Sequence, residues 1–243
     1  MSSEDLAKVV ASNIGVIKQT IEDAVSSSPL TNHCNLVAVS KTKPVELIEA
    51  CIEGGQWDFG ENYVNELEEK SQSLHEKFPS IRWHFIGQVQ SNKIPKICNS
   101  PGLYAVHTLE SEKHCLAFNK EFVKKNQELN VLVQVNTSKE EQKGGLLADD
   151  AVKLAHFIRE SCSNLKFLGF MTIGSFDNSH AIPNPDFDEL FKVRSQFSLQ
   201  SGVAEEKIEL SMGMSDDYVQ AIQQGSTVVR VGSKIFGARI YKN

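Results

Sequence analysis

The sequence predicts an α/β fold: a single (β/α)8 TIM barrel with an extra N-terminal helix, forming one domain over residues 1–243. The first observation is the length, because 243 residues suit a barrel of this kind. The second is that eight short apolar runs alternate with helical patterns, which is typical of a parallel sheet. The third is that no linker or low-complexity tract divides the chain. Eight strand–helix units in this length favour a closed barrel over an open doubly wound sheet.

The extra helix comes first. Residues 4–25 carry apolar side chains at helical spacing, and the segment Ser26 to Pro29 ends the pattern. The eight strands follow as short apolar runs with turn residues around them. They are predicted at residues 36–40, 57–59, 83–86, 103–106, 131–135, 167–172, 208–210 and 227–231.

Helix signals lie between several of these strands. Pro44 stands at a favourable first-turn position, and Gly54 and Gly55 can close the helix that it opens. Amphipathic patterns predict four further helices and one long loop. The helices cover residues 108–125, 148–161, 186–199 and 216–224, and the loop covers residues 174–185.

Composition and charge narrow the functional class. The formal net charge is -6 and no basic patch is evident, so a nucleic-acid partner is not expected. The N-terminus lacks the pattern of a secretory or transit peptide, and no apolar run approaches the roughly 18 residues of a membrane span. The sequence therefore predicts a cytoplasmic protein without a membrane partner.

The five cysteines are predicted to be reduced and buried. Their number is odd, their spacings are wide and no C-x-x-C motif occurs, which argues against disulfides and against a metal site. They are Cys34, Cys51, Cys98, Cys115 and Cys162.

Lys41 is the most informative residue of the predicted barrel mouth. Functional residues of such barrels lie where strands end and the following loops begin. Lys41 directly follows the first strand, so its amine is expected to be partly desolvated in the mouth. Desolvation lowers the pKa of a lysine and frees the amine as a nucleophile. The alternative is a solvated lysine on a loop, which is the interpretation we give to Lys43.

The loops after strands 7 and 8 resemble a phosphate site. Barrels usually hold phosphate at these loops, and here both are rich in serine and glycine. Gly232 and Ser233, next to Arg230, favour that interpretation. The hydroxyl of Ser215 has an alternative role as the cap of the helix predicted from Asp216.

Two further polar positions have structural alternatives. Arg230 ends the last strand, where it is either a ligand-binding residue or a structural partner of Glu61 or Asp216. His84 lies inside the third strand, where a packed core histidine is favoured over a catalytic base. His107 ends the fourth strand and is the other histidine expected near the mouth.

Five segments carry a family resemblance. They are AVSKTKP at 38–44, FGENYVNE at 59–66, WHFIGQVQSNK at 83–93, VNTSKEEQKGGL at 135–146 and SMGMSDDYVQAIQQGSTVVRVGSKIFG at 211–237. In this order they resemble the pyridoxal 5′-phosphate (PLP) homeostasis protein family over nearly the whole chain. Val89 departs from a usual leucine and Lys139 from a common glycine, which affects only packing and a loop.

The resemblance implies a PLP site built from named residues. It implies that Lys41 holds PLP as a Schiff base, that Asn62 lines the pocket and that Arg230 lies near the pyridine nitrogen. An always-charged arginine there would hinder protonation of that nitrogen. The phosphate cradle would come from Ser211, Ser215, Gly232 and Ser233, with Met212 and Met214 also in contact. No catalytic residue and no metal site is implied.

The resemblance also implies a role in PLP homeostasis and vitamin B6 supply. It implies a monomeric barrel related to the N-terminal domain of alanine racemase, with PLP-dependent apoenzymes as possible transient partners. Two other functions stay open at this point. One is a PLP-dependent enzyme acting on amino acids, such as a weak racemase, and the other is a Schiff-base aldolase without a cofactor.

Overall fold

Eight parallel strands close into a barrel in chain order, and the eighth strand pairs with the first. The computed structural model describes residues 3–140 and 143–237. The strands are β1 (Asn35–Val39), β2 (Asp58–Glu61), β3 (Arg82–Phe85), β4 (Leu103–Leu109), β5 (Leu129–Gln134), β6 (Leu165–Met171), β7 (Glu209–Ser211) and β8 (Val228–Val231). The predicted barrel is therefore confirmed, with strand ends that differ from the predicted ones by up to three residues.

Helices connect the strands around the outside of the barrel. They are α1 (Ser3–Ser27), α2 (Val45–Glu53), α3 (Val64–His75), α4 (Ile94–Cys98), α5 (Glu112–Lys125), α6 (Ala148–Ser161), α7 (Pro185–Ser201), α8 (Tyr218–Gln223) and α9 (Ser233–Phe236). The extra N-terminal helix is confirmed as α1, which packs against α2, α8 and α9. The predicted long loop lies between β6 and α7 as expected.

Three of these helices were missed by the sequence pattern. The buried face of α3 combines Leu67 and Leu74 with the polar residues Lys70 and Ser71, so its apolar periodicity is weak. The helices α4 and α9 have five and four residues, which is too short to show a period. The signal was therefore absent for two helices and masked by buried polar residues in the third.

Alternate strand residues point into the barrel and define two cavities. A cavity of about 320 Å³ lies at the carboxyl ends of the strands, and a smaller one of about 140 Å³ lies at their amino ends. Buried polar side chains separate the two. They are His84, His107, Ser211 and Arg230.

The structure bears on the predictions about the cysteines, a metal site and the extent of the domain. All five cysteines are free, with Cys34 only half-buried and the other four buried. Burial raises the pKa of Cys51 and of Cys98 to about 12. Across residues 3–140 and 143–237, no group of three or more His, Cys, Asp or Glu side chains is suited to a metal ion. A single domain over residues 1–243 stays a prediction, because ten of those residues lie outside the described ones.

Within the described ranges, no helix combines the length and the apolar character that a membrane span needs.

Candidate functional site

The larger cavity collects most of the residues that the sequence singled out. Its wall includes Lys41, Asn62, Arg230 and three small residues from the last two loops, Ser215, Gly232 and Ser233. The other lining residues are mostly apolar, and they are Val39, Ile86, Met171, Ile173 and Met214, together with Lys43, Asp216 and Gly237. A concave apolar site with a few convergent polar groups is the usual form of a small-molecule pocket.

Lys41 sits in a tight turn directly after β1. The amide of Lys43 donates to the carbonyl oxygen of Ser40 at 3.0 Å, which closes the turn. Thr42 takes a positive φ of 62°, and its amide donates to Oε2 of Glu66 at 2.7 Å. Lys41 is half-buried at the cavity wall. The turn therefore fixes where the base of this side chain lies.

A buried ion network supports this turn from behind. Nζ of Lys70 donates to the carbonyl oxygen of Ser40 at 2.8 Å and to carboxylate oxygens of Glu61 and Glu66, both at 2.7 Å. Oε1 of Glu61 also accepts from the Ser40 hydroxyl at 2.7 Å. Burial raises the pKa of Glu61, although Lys70 and Ser40 act in the opposite direction. The network ties β1, β2 and α3 together at the position where Lys41 leaves the barrel wall.

Lys70 and Glu66 are the site-supporting residues that the sequence analysis missed. Their spacing of four residues on α3 is a recognisable ion-pair signal. That signal predicts an ion pair on an exposed helix face. In the structure, however, Lys70 is buried, with its side chain only 7% exposed. The second carboxylate, Glu61, comes from β2 and is brought close only by the fold.

Lys43 has a different task from that of Lys41. Its Nζ donates to the carbonyl oxygens of Phe236 and Gly237, at 3.1 and 3.2 Å. These carbonyls are at the C-terminal end of α9, where a lysine is favourable. Lys43 is therefore half-buried and engaged by the last loop, which differs from the solvated lysine that the sequence predicted.

Asn62 carries a buried oxygen that has no partner within residues 3–140 and 143–237. Its Oδ1 is inaccessible to solvent and accepts no hydrogen bond from the described residues. The backbone of Asn62 passes so close to β3 that a Cβ at Gly87 would lie 1.9 Å from the Asn62 carbonyl oxygen. Only glycine at position 87 allows this approach. Buried polar atoms are nearly always paired, and Asn62 lines the cavity, so its unpaired oxygen makes this side chain a candidate partner for a ligand.

Arg230 crosses the floor of the cavity. Its Nη1 donates to the carbonyl oxygen and the hydroxyl of Ser211 at 2.7 and 2.8 Å, and its Nη2 donates to the carbonyl oxygen of Thr172 at 2.7 Å. Burial lowers the pKa of this guanidinium to about 10, although Asp217 acts in the opposite direction. The predicted structural alternative was a pairing with Glu61 or Asp216. It is wrong, because Glu61 is held by Lys70 and the guanidinium bonds are made to Ser211 and Thr172.

The two small-residue loops are linked to each other by Ser215. Its hydroxyl oxygen accepts from the amide of Gly232 at 3.2 Å and from the amide of Lys234 at 3.5 Å. The predicted role of Ser215 as a helix cap is therefore wrong. The helix starts later than predicted, at Tyr218, and the amide of Met214 is instead bonded by the Asp217 carboxylate at 2.6 Å.

Two predicted site residues lie away from the cavity wall. Ser211 is fully buried beneath Arg230 and holds its guanidinium. Met212 is also fully buried, and its side chain belongs to the hydrophobic core. Neighbouring residues of an extended chain point to opposite faces, so when Ser211 faces the interior, Met212 faces away. The expected contact of Met212 with the cofactor is therefore corrected to a packing role.

The sequence profile described as alanine racemase, N-terminal domain, matches residues 12–240 of this chain. A Caenorhabditis elegans pyridoxal phosphate homeostasis protein is 60% identical over 240 residues, which is 97% of this chain and 98% of that protein. The human protein of the same name is 40% identical, with 93% of this chain and 85% of that protein covered. The chain belongs to the pyridoxal phosphate homeostasis protein family.

Two solved structures show the same fold as this chain. PipY of Synechococcus elongatus PCC7942, in its PLP-bound structure, has a TM-score of 0.78 and 25% identity, with 94% of this chain and 100% of that chain covered. Alanine racemase from Corynebacterium glutamicum has a TM-score of 0.68 and 12% identity, with 96% of this chain and 62% of that chain covered. The second likeness shows the fold alone.

Proposed function

We propose that this chain binds PLP in the larger cavity, holds it on Lys41 as a Schiff base, and serves PLP homeostasis in the cytoplasm. The observation that carries the proposal is the convergence of Lys41, Arg230 and two small-residue loops on one cavity of about 320 Å³. The family's printed name and the PLP-bound relative support the choice of ligand.

The residues present fit the three chemical parts of PLP. The phosphate suits the loops of Ser215, Gly232 and Ser233, where backbone N–H groups and hydroxyls donate to anions. The pyridine nitrogen suits Arg230, because three of its five N–H groups are engaged by Ser211 and Thr172 and two remain. The unpaired Oδ1 of Asn62 is suited to accept from a ligand.

Lys41 is the lysine best placed to form the Schiff base. Its amine would join the aldehyde carbon as C=N with release of water, so the amine must be unprotonated to attack. Lys41 directly follows β1, in the turn that the Glu61–Lys70 network supports, whereas Lys43 lies two residues further on, with its Nζ directed at two carbonyl oxygens at the end of α9. When bound, PLP supplies an aldehyde that exchanges among amines and a ring that withdraws electrons.

An absorption experiment tests the proposed attachment. Purified protein with added PLP is expected to show a visible absorption band that survives gel filtration, and Lys41→Ala is expected to lose it. The matched control is Lys43→Arg, which keeps a cation near the α9 carbonyls and should keep the band. A band that persists in Lys41→Ala would contradict attachment at Lys41. A wild-type protein that is colourless and does not bind PLP would contradict the proposed ligand, and would favour the cofactor-free aldolase.

A role in supply requires that PLP leaves this protein for others. We propose transient contact with PLP-dependent apoenzymes, and a monomeric state that leaves the mouth open to them. The test mixes the loaded protein with an apoenzyme in the presence of a trap for free PLP. Reactivation that the trap abolishes would argue against direct delivery. Incorporation of solvent deuterium at Cα of an amino acid, with useful turnover, would favour the racemase-like enzyme instead.

A further inference from the structure

A continuous row of polar side chains runs through the barrel interior beneath the cavity. Nη1 of Arg230 lies 2.8 Å from the Ser211 hydroxyl, which lies 3.1 Å from Nδ1 of His107. Nε2 of His107 lies 2.9 Å from Nδ1 of His84, and Nε2 of His84 lies 2.9 Å from Oδ1 of Asp58. The row thus joins the floor of the larger cavity to a carboxylate in the smaller one at the other end of the barrel.

The direction of these hydrogen bonds follows from the two ends of the row. Arg230 can only donate and the Asp58 carboxylate can only accept. Burial opposes ionisation of Asp58, but hydrogen bonds from His84 and Arg82 outweigh it and lower the pKa of that carboxyl. His84 therefore donates through Nε2 to Asp58.

The directions of the two central hydrogen bonds, between Ser211 and His107 and between His107 and His84, follow from the need to pair every buried hydrogen. Burial, together with His84 and Arg230, places the pKa of His107 well below its ordinary value, so this ring is neutral. If His107 donated to Ser211, the hydroxyl would receive hydrogens from both His107 and Arg230, and its own hydrogen would lack a partner among these groups. An unpaired buried donor costs about 1–3 kcal/mol. The arrangement without that cost has Ser211 donating to Nδ1 of His107, and Nε2 of His107 donating to Nδ1 of His84.

We propose that Asp58, His84 and His107 are positioning residues that orient the Ser211 hydroxyl and, through it, the guanidinium of Arg230. With the hydroxyl hydrogen directed at His107, the oxygen of Ser211 presents its lone pairs to Nη1. Together with the carbonyls of Ser211 and Thr172, it fixes the guanidinium plane and leaves two N–H groups for a ligand. The inference rests on the proposed function only for the identity of that ligand, a ring nitrogen that accepts a hydrogen bond.

Histidine tautomers measured by ¹⁵N NMR on protein without PLP test the direction of the row. Both His84 and His107 are expected to carry their proton on Nε2 and to have an unprotonated Nδ1. Because this measurement uses the wild-type protein, it decides the question even if a variant fails to fold. A proton on Nδ1 of His107, or a doubly protonated His84, would overturn the proposal.

A pair of variants tests whether the row transmits the effect of Asp58. In Asp58→Ala only the Arg230 end still favours this order, so the ¹⁵N pattern of His107 is expected to show a partial population of the Nδ1–H form although Asp58 does not touch His107. Arg82→Gln is the matched control, because Arg82 also bonds Asp58 but lies outside the row. A change confined to His84 in Asp58→Ala would overturn transmission.

PLP titration of the same samples connects the row to the ligand. Asp58→Ala is expected to bind PLP about tenfold more weakly, which corresponds to one hydrogen bond of about 1.4 kcal/mol. Arg82→Gln is expected to bind PLP like the wild type. Unchanged affinity in Asp58→Ala would contradict the positioning role. Absence of PLP binding by the wild type would instead contradict the proposed function and leave the tautomer result standing.

Discussion

Asn62 and Arg230 at the carboxyl end of the barrel interior keep unpaired polar groups, whereas Asp58 at the amino end is held by two neighbours. Oδ1 of Asn62 has no partner among the described residues, and Arg230 keeps two N–H groups. The carboxylate of Asp58 accepts from both Arg82 and His84. We infer that the first pair of residues is placed to meet a ligand and that Asp58 helps to hold the barrel together, in line with the division between the two ends of such barrels.

The largest expected effect concerns the buried ion pair between Lys70 and Glu61. Lys70→Met leaves Glu61 buried without its cation, although the volume is nearly kept. Loss of one partner of a buried pair costs about 3–5 kcal/mol, so the free energy of unfolding in urea should fall by about that amount. The matched control is Lys77→Met, which removes an exposed pair with Glu49 and should cost at most about 1 kcal/mol. Equal losses in the two variants would contradict the buried network.

The same variant gives a pH test with a definite sign. The folded-state pKa of Glu61 is already raised by burial, and removing Lys70 removes an effect that lowers it. A raised acid pKa favours the folded state at low pH and loses that contribution as pH rises through the folded value. The stability deficit of Lys70→Met should therefore shrink as pH falls towards the ordinary glutamate value of 4.5. A deficit that grows on acidification would show that Glu61 is not the group left unpaired.

A second, smaller effect concerns the backbone that carries Asn62. Gly87→Ala adds a Cβ where the Asn62 carbonyl oxygen lies, so the loop after β2 must shift. Overpacking of this kind costs about 1–3 kcal/mol of stability, and the shift should also weaken PLP binding. Thermal unfolding and PLP titration measure the two effects. Unchanged values of both would contradict the close approach.

The smallest expected effect on stability comes from a variant at Asn62, which separates ligand binding from folding. Asn62→Ala removes a buried oxygen that has no partner in the described part of the chain, so stability should stay the same or rise slightly. PLP binding should weaken by about tenfold, the equivalent of one hydrogen bond. Urea unfolding without PLP and titration with PLP check the two halves. Lower stability with unchanged affinity would place Asn62 among the structural residues.

The sequence was sufficient for the barrel because each strand is a short apolar run between turn residues. It was also sufficient for Lys41, Asn62, Ser215, Arg230, Gly232 and Ser233 to be expected near one another, since they follow the strands at one end. Their roles towards PLP stay predictions. The helix α3 was missed because Lys70, a charged residue, occupies its buried face. A lysine can be buried there only because the carboxylates of Glu61 from β2 and Glu66 from α3 bind its amine. That arrangement depends on how the elements pack and cannot be read from the periodicity of the helix.

Met212 shows a second kind of limit. The whole loop motif that contains Met212 was assigned to the site. Along extended backbone, however, neighbouring side chains point to opposite faces, so Ser211 faces the inside of the barrel and Met212 packs in the hydrophobic core outside it. The row from Arg230 to Asp58 shows a third, because its members come from β2, β3, β4, β7 and β8 and meet only when the barrel closes.

The proposed attachment of PLP to Lys41 can be located chemically. Reduction of the PLP-loaded protein with borohydride would fix the Schiff base as a stable amine, and peptide mass spectrometry would then locate it. We expect a phosphopyridoxyl group on the peptide that contains Lys41, at that residue and not at Lys43. The group found on another lysine, or on none in a protein that still retains PLP, would contradict it.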